Sequence, residues 1–164
     1  MKYEDLTGNL KTLYDFHFNN GTITIEDGTY TIQEIIDKDD EWWENNHDFI
    51  QYLYPTDEVS KFNPEAPVLT KESADFFKNS PGEININLYH RFRQFIFDNR
   101  WLVRPFNHNY LRFSRVLRNI ALLVNSDLSL RVLQGYNKEF NLLTQDKVKS
   151  FYIWLDSTQA KFED

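Results

Sequence analysis

The stretch NHNYLRFSRVLRNIALLV, residues 107 to 124, constrains the fold more than any other part of the chain. Drawn at 100° per residue, it places Phe113, Val116, Leu117, Ile120, Leu123 and Val124 on one apolar stripe. Opposite runs a narrow polar stripe of His108, Arg112, Arg115 and Asn119, and beyond it a second apolar strip holding Leu111 and Leu122. A helix that is apolar on both flanks has to be covered on two sides. The spacing therefore predicts a central helix of a helical assembly, with its arginines partly enclosed. Asn107 or Pro105 starts this helix, and the backbone N–H groups of its first turn, around His108 and Asn109, favour an anion there.

The neighbouring segments carry the same helical signature. LTGNLKTLYDFHF reads as a first helix, with Leu6, Leu10, Leu13 and Tyr14, then Phe16 or His17, at steps of three and four. Thr31 with Glu34 fits a capping box, and Thr70 caps the short run ESADFFK. Ser80 and Pro81 open a run through INLYHRFRQFIFDN, Ser126 and Asp127 open LSLRVLQGYNKEF, and Thr144 with Asp146 opens KVKSFYIWLDSTQAKF. Four consecutive helices with short connections argue for a bundle. β-branched alternation with turn glycines occurs in NNGTITIEDGTYT, so a small hairpin is expected near residues 20–30. YPTDEVSKFNPEAPVLT holds three of the five prolines and should run irregularly over the surface. The fold class expected is mainly α, a multi-helix bundle with one small hairpin. The 164 residues show no repeat or linker and read as one domain.

WWENNHDFIQYLYP, residues 42 to 55, is the densest run of rings. Read as one helix, it gathers Trp42, Trp43, Phe49, Ile50, Leu53 and Tyr54 on a broad core arc. His47 falls at the margin of that arc and Gln51 just beyond it, while Asp48 and Tyr52 point away. His47 is then either a satisfied structural donor or a ligand-facing group.

Charge is unevenly distributed. Residues 1–58 carry 14 Asp/Glu against 3 Lys, and residues 91–118 carry 7 Arg against Asp98 alone, within a chain of net charge −7. Either the two blocks neutralise each other, or the arginines meet a carboxylate or phosphate brought by a ligand. Arginines interleaved with rings also suit nucleic acid, against which the acidity of the chain argues. No P-loop, GxGxxG, GxSxG or HExxH is found, and the four histidines, His17, His47, His90 and His108, are not spaced as a metal pair on one helix. There is no cysteine. No catalytic set, metal or cofactor is implied. No charged lead into an apolar run and no membrane-length apolar stretch is seen, so a cytoplasmic location is expected.

ENNHDFIQYLYP followed by FNPEAPVLTKE, and then NHNYLRFSRVLRNI, resemble the two signature segments of the conserved N-terminal domain of the opioid growth factor receptor family. NLKTLYDFH, the WW pair and FYIWL resemble supporting pieces in the same order, so the likeness spans nearly the whole chain. It covers Trp43, His47, Ile50, Gln51, Leu53 and Pro55, then Pro64, Ala66 and Leu69, then His108, Asn109, Leu111, Arg112, Arg115 and Leu117. It departs at Tyr52, Tyr54 and Phe113-Ser114, and the connection after Asp98 is shorter. Animal members bind the enkephalin peptide and continue into repeat tails; this chain resembles the short, stand-alone bacterial members. The resemblance implies a non-catalytic binding module whose two signatures lie side by side. His47, Gln51, Tyr52, His108, Asn109, Arg112 and Arg115 would then face a small anionic or peptide ligand. Two alternatives stay open: an enzyme with His47 or His108 as acid or base and Arg115 steadying an oxyanion, and a structural domain with a protein partner, such as a dimer through Tyr52 and Trp101.

Overall fold

Helix signals rule the chain, and the fold follows them. The structure, a computed structural model, describes residues 1–80 and 84–163. It divides into two compact units, Met1–Phe95 and Ile96–Asp164, with the boundary inside one helix.

In the first unit a 3-10 turn at Tyr3–Asp5 precedes helix α1 (Gly8–Phe18). α1 ends where Asn20 takes a left-handed conformation, φ 54°, and Gly21 N–H returns 2.8 Å to the Asp15 carbonyl. A Cβ on Gly21 would sit 2.9 Å from Asp15 backbone and side-chain carbons, so this close return requires glycine. Strands β1 (Thr22–Ile25) and β2 (Gly28–Thr31) pair antiparallel, Thr22 opposite Thr31 and Ile25 opposite Gly28. Ile23 and Ile25 point inward, as the alternation requires. The expected hairpin is thus present.

Helix α2 (Ile32–Ile36) starts at the expected capping box: Glu34 N–H donates to Thr31 Oγ1 at 3.3 Å, and Thr31 N–H donates to Glu34 Oε1 at 2.9 Å. At five residues it cannot satisfy its own last carbonyls, and side chains from elsewhere do so. Trp43 Nε1 donates to Ile35 O at 3.0 Å, and Arg91 donates through Nε to Ile36 O at 3.0 Å and through Nη2 to Lys38 O at 2.8 Å.

The ring-rich run is not one helix. It forms α3 (Asp40–Asn45), capped by Asp39, and α4 (Ile50–Leu53), with extended chain between them at Asn46. Trp43, Phe49, Ile50, Leu53 and Tyr54 are nevertheless buried, and Trp42 is half-buried with its Nε1 on Asp27. The proline-bearing loop that follows is irregular, as expected, but anchored: Leu69 N–H donates to Thr56 O at 2.8 Å, and Thr56, Ala66 and Leu69 are buried. α5 (Lys71–Lys78) is capped by Thr70, as the sequence predicts. The helix expected from Ser80 and Pro81 begins at Asn87, as α6 (Asn87–Asn99); Pro81 lies outside the described residues. The core of this unit is largely aromatic, with Trp43 against Phe49 and Phe95 and Tyr54 against Phe92.

In the second unit the end of α6 leads through a 3-10 turn at Trp101–Val103 to α7 (His108–Leu123). α8 (Ser126–Phe140) follows, capped by Asn125 rather than from within the Ser126-Asp127 pair. A 3-10 turn at Gln145–Lys147 separates Thr144 from α9 (Val148–Ser157). α7 is central to this unit. On one side Phe113 stacks on Tyr136 of α8, centroids 4.4 Å apart, and Ser129 Oγ donates to Leu117 O. On the other, Trp154 of α9 packs on Phe113 and donates through Nε1 to Tyr110 O at 3.0 Å. The mainly helical class with one small hairpin is what the sequence predicts. Among the described residues no helix is long and apolar enough to cross a membrane.

Candidate functional site

The sequence-predicted site residues fall in both units, three in the first and four in the second, and each set has its own geometry.

His47, Gln51 and Tyr52 surround the turn between α3 and α4. His47 is exposed, and its imidazole lies over the exposed Phe62 ring at 5.9 Å and 30°. Gln51 is 4% exposed, and its carboxamide N–H₂ donates to His47 O and to Ser60 Oγ, each at 3.1 Å. Its Oε1 is buried with no hydrogen-bond partner among the described residues. Asn63 Nδ2 donates to Asp48 O at 3.0 Å, and the Asp48 carboxylate accepts from Glu26 N–H at 2.8 Å. One turn thus holds both the proline-bearing loop and the tip of the hairpin. Tyr52 is half-buried; burial raises its phenol above the ordinary value, a hydrogen bond from Asn63 opposes that, and the Asp48 and Glu65 charges add to it.

The carbonyl of Tyr52 has its own partner. His17 Nε2 lies 2.7 Å away, and since a carbonyl only accepts, Nε2 carries the hydrogen. Among the rings of Phe16, Phe18 and Phe77 the imidazole is desolvated, which lowers its pKa to about 4, the Tyr52 carbonyl opposing. His17 is therefore a neutral donor at neutral pH.

In the second unit the four residues occupy the first two turns of α7. Asn107 caps the helix by accepting from Asn109 N–H at 3.0 Å, and its own Nδ2 donates to the carbonyls of Trp101 and Pro105. His108 is half-buried, its ring 6.4 Å from Trp101, over which the Arg104 guanidinium also lies at 4.2 Å. Asn109 is fully buried and accepts from Arg112 Nη1 at 3.4 Å. Arg112 is 6% exposed and Arg115 half-buried, so the enclosure expected of this stripe is present. Asn119, one turn further, is also buried.

Two features were not marked as functional by the sequence. His17 sits at a core spacing of the first helix, where a ring is expected whatever its chemistry. Ser60 and Asn63 lie in a loop, where no periodicity singles out a residue. Among the described residues no group of three His, Asp or Glu side chains could hold a metal ion. No protein-family model, curated protein or solved structure matches the chain.

Proposed function

We propose that the chain is a non-catalytic binding module of the opioid growth factor receptor type, taking a short peptide. The observation that carries this reading is the Gln51 carboxamide. Its nitrogen is spent on His47 O and Ser60 Oγ while its oxygen, buried, has no donor among the described residues. An unmet buried acceptor costs about 1–3 kcal/mol, and because the oxygen is covered, a peptide N–H recovers that cost only by parting the loop around Ser60 from α4. The exposed His47 and Phe62 rings beside it offer the flat surface on which a peptide side chain rests.

The test is capture from a pool of short acidic and neutral peptides, read by mass spectrometry. The wild-type chain is compared with Gln51→Leu and with Arg112→Ala/Arg115→Ala, each checked for folding by circular dichroism. Wild type retains a defined peptide set that Gln51→Leu loses. Identical sets from all folded variants, or none from wild type, overturn the reading.

A further inference from the structure

A concavity lies within the first unit, lined by none of the sequence-predicted site residues. It is a cleft of about 800 Å³ beside α5. Glu72, Asp75, Phe76 and Asn79 recur along α5 at steps of three and four, so one stripe of the helix lines the cleft, while Ser73, Ala74 and Phe77 on the other side are buried. Tyr14 of α1 lines it together with Phe76. Its ring meets Phe76 at 5.0 Å and 43°, and its hydroxyl is 3.0 Å from Ser80 Oγ, which fixes the ring's direction. The floor is thus a pair of held aromatic rings, one buried and one half-buried. The exposed residues Asp5, Glu72 and Asp75 also line it, and among the described residues the lining holds no lysine or arginine, its one cation being the Met1 α-ammonium.

We infer that this groove docks a basic peptide segment, one bearing lysine or arginine. Charge complementarity selects the occupant. Three carboxylates against one α-ammonium leave the rim net negative, which repels an anionic partner and attracts a cationic one. The ring floor discriminates further. A lysine or arginine side chain lays its methylene stem on apolar surface and keeps its head at a charged rim, and its cation is attracted to the face of a ring. The volume lies in the range of ligand-sized pockets, more than a single small amine fills. This groove is independent of the Gln51 reading.

The experiment is a fluorescence anisotropy titration of the whole chain with a labelled hexalysine peptide at near-physiological salt. Because a chain of net charge −7 draws any polycation, the control removes two negative charges elsewhere. Glu72→Gln/Asp75→Asn is compared with Glu139→Gln/Asp156→Asn, all four exposed. The first pair weakens binding about fivefold or more, as two lost ion pairs at a ring-lined rim imply, and the second changes it less than twofold. Phe76→Leu, which keeps bulk and removes the ring face, also weakens binding, with its folding checked by amide NMR spectra. Equal weakening by the two charge pairs, undiminished binding by folded Phe76→Leu, or no saturable binding by wild type overturns the inference.

Discussion

His17 makes the fold sensitive to acid. In the unfolded chain its imidazole titrates near 6.5, and in the folded chain near 4, so between those values the unfolded state holds the extra proton. The difference is present as stability above pH 6.5, is lost as pH falls through the window, and is gone below about 4. A separation of about 2.5 units corresponds to about 3 kcal/mol, an upper figure because the ring is half-buried rather than sealed. Against a typical total of roughly 5–15 kcal/mol that is a large share. The perturbation is His17→Gln, which offers an N–H to the Tyr52 carbonyl and cannot titrate. Urea unfolding of both proteins at pH 7, 5.5 and 4 separates this histidine from the many carboxylates, whose effect is common to the two. Wild type should lose about 2–3 kcal/mol more than His17→Gln between pH 7 and 4. The imidazole resonance missing from the His17→Gln spectrum should have its midpoint well below 6. Parallel stability curves, or a midpoint near 6.5, refute the reasoning.

Three further perturbations probe side chains that complete backbone hydrogen bonding. Arg91→Lys keeps the charge beside Asp40, 2.8 Å away, but cannot span both carbonyls, and should lower stability by about 1–2 kcal/mol in urea unfolding; Arg91→Ala should cost more. Trp154→Phe keeps most of the ring packing and deletes the donor to Tyr110 O, for a loss of about 1–2 kcal/mol by the same measurement. Thr31→Ala removes one half of the capping box and should cost about 1 kcal/mol, seen as a lower thermal midpoint.

What the sequence made legible follows from where periodicity operates. Over α7, sixteen residues of regular helix, spacing converts directly into direction: Arg112 and Asn119 are buried, and Phe113, Val116, Leu117 and Ile120 form the core stripe. Even here the match is partial, since Leu123 and Val124 of that stripe are only half-buried. Leu111, placed on the second apolar strip, is 44% exposed, while Leu122 of the same strip is buried. Over residues 42–54 the wheel is broken by the extended backbone at Asn46, and the direction it assigns beyond that point no longer holds. The large rings are buried all the same, because transfer from water acts on area and not on phase. Gln51 shows the consequence. Its position just outside the arc puts it at the border of the core, but the break in the helix turns it inward, where it ties α4 to Ser60. The loop residues that complete this arrangement have no pattern to be read by, since their places are set by tertiary hydrogen bonds.

The charge asymmetry resolves similarly at Arg91. Counting residues pairs an arginine block with an acidic block, and Arg91 does meet Asp40 of that acidic stretch. Yet the same guanidinium also serves two carbonyls following a five-residue helix and lies 4.6 Å over the Trp43 ring. A carbonyl at a helix C-terminus carries partial negative charge that no count of Asp and Glu includes. An arginine's planar fork, with five donors, reaches several such acceptors at once where lysine reaches them only as a point charge. The surplus of positive charge in residues 91–118 therefore overstates the number of cations that need an outside anion. Part of it is drawn to backbone dipoles, and short helices such as α2, which leave their last carbonyls unmet, are where that demand is greatest.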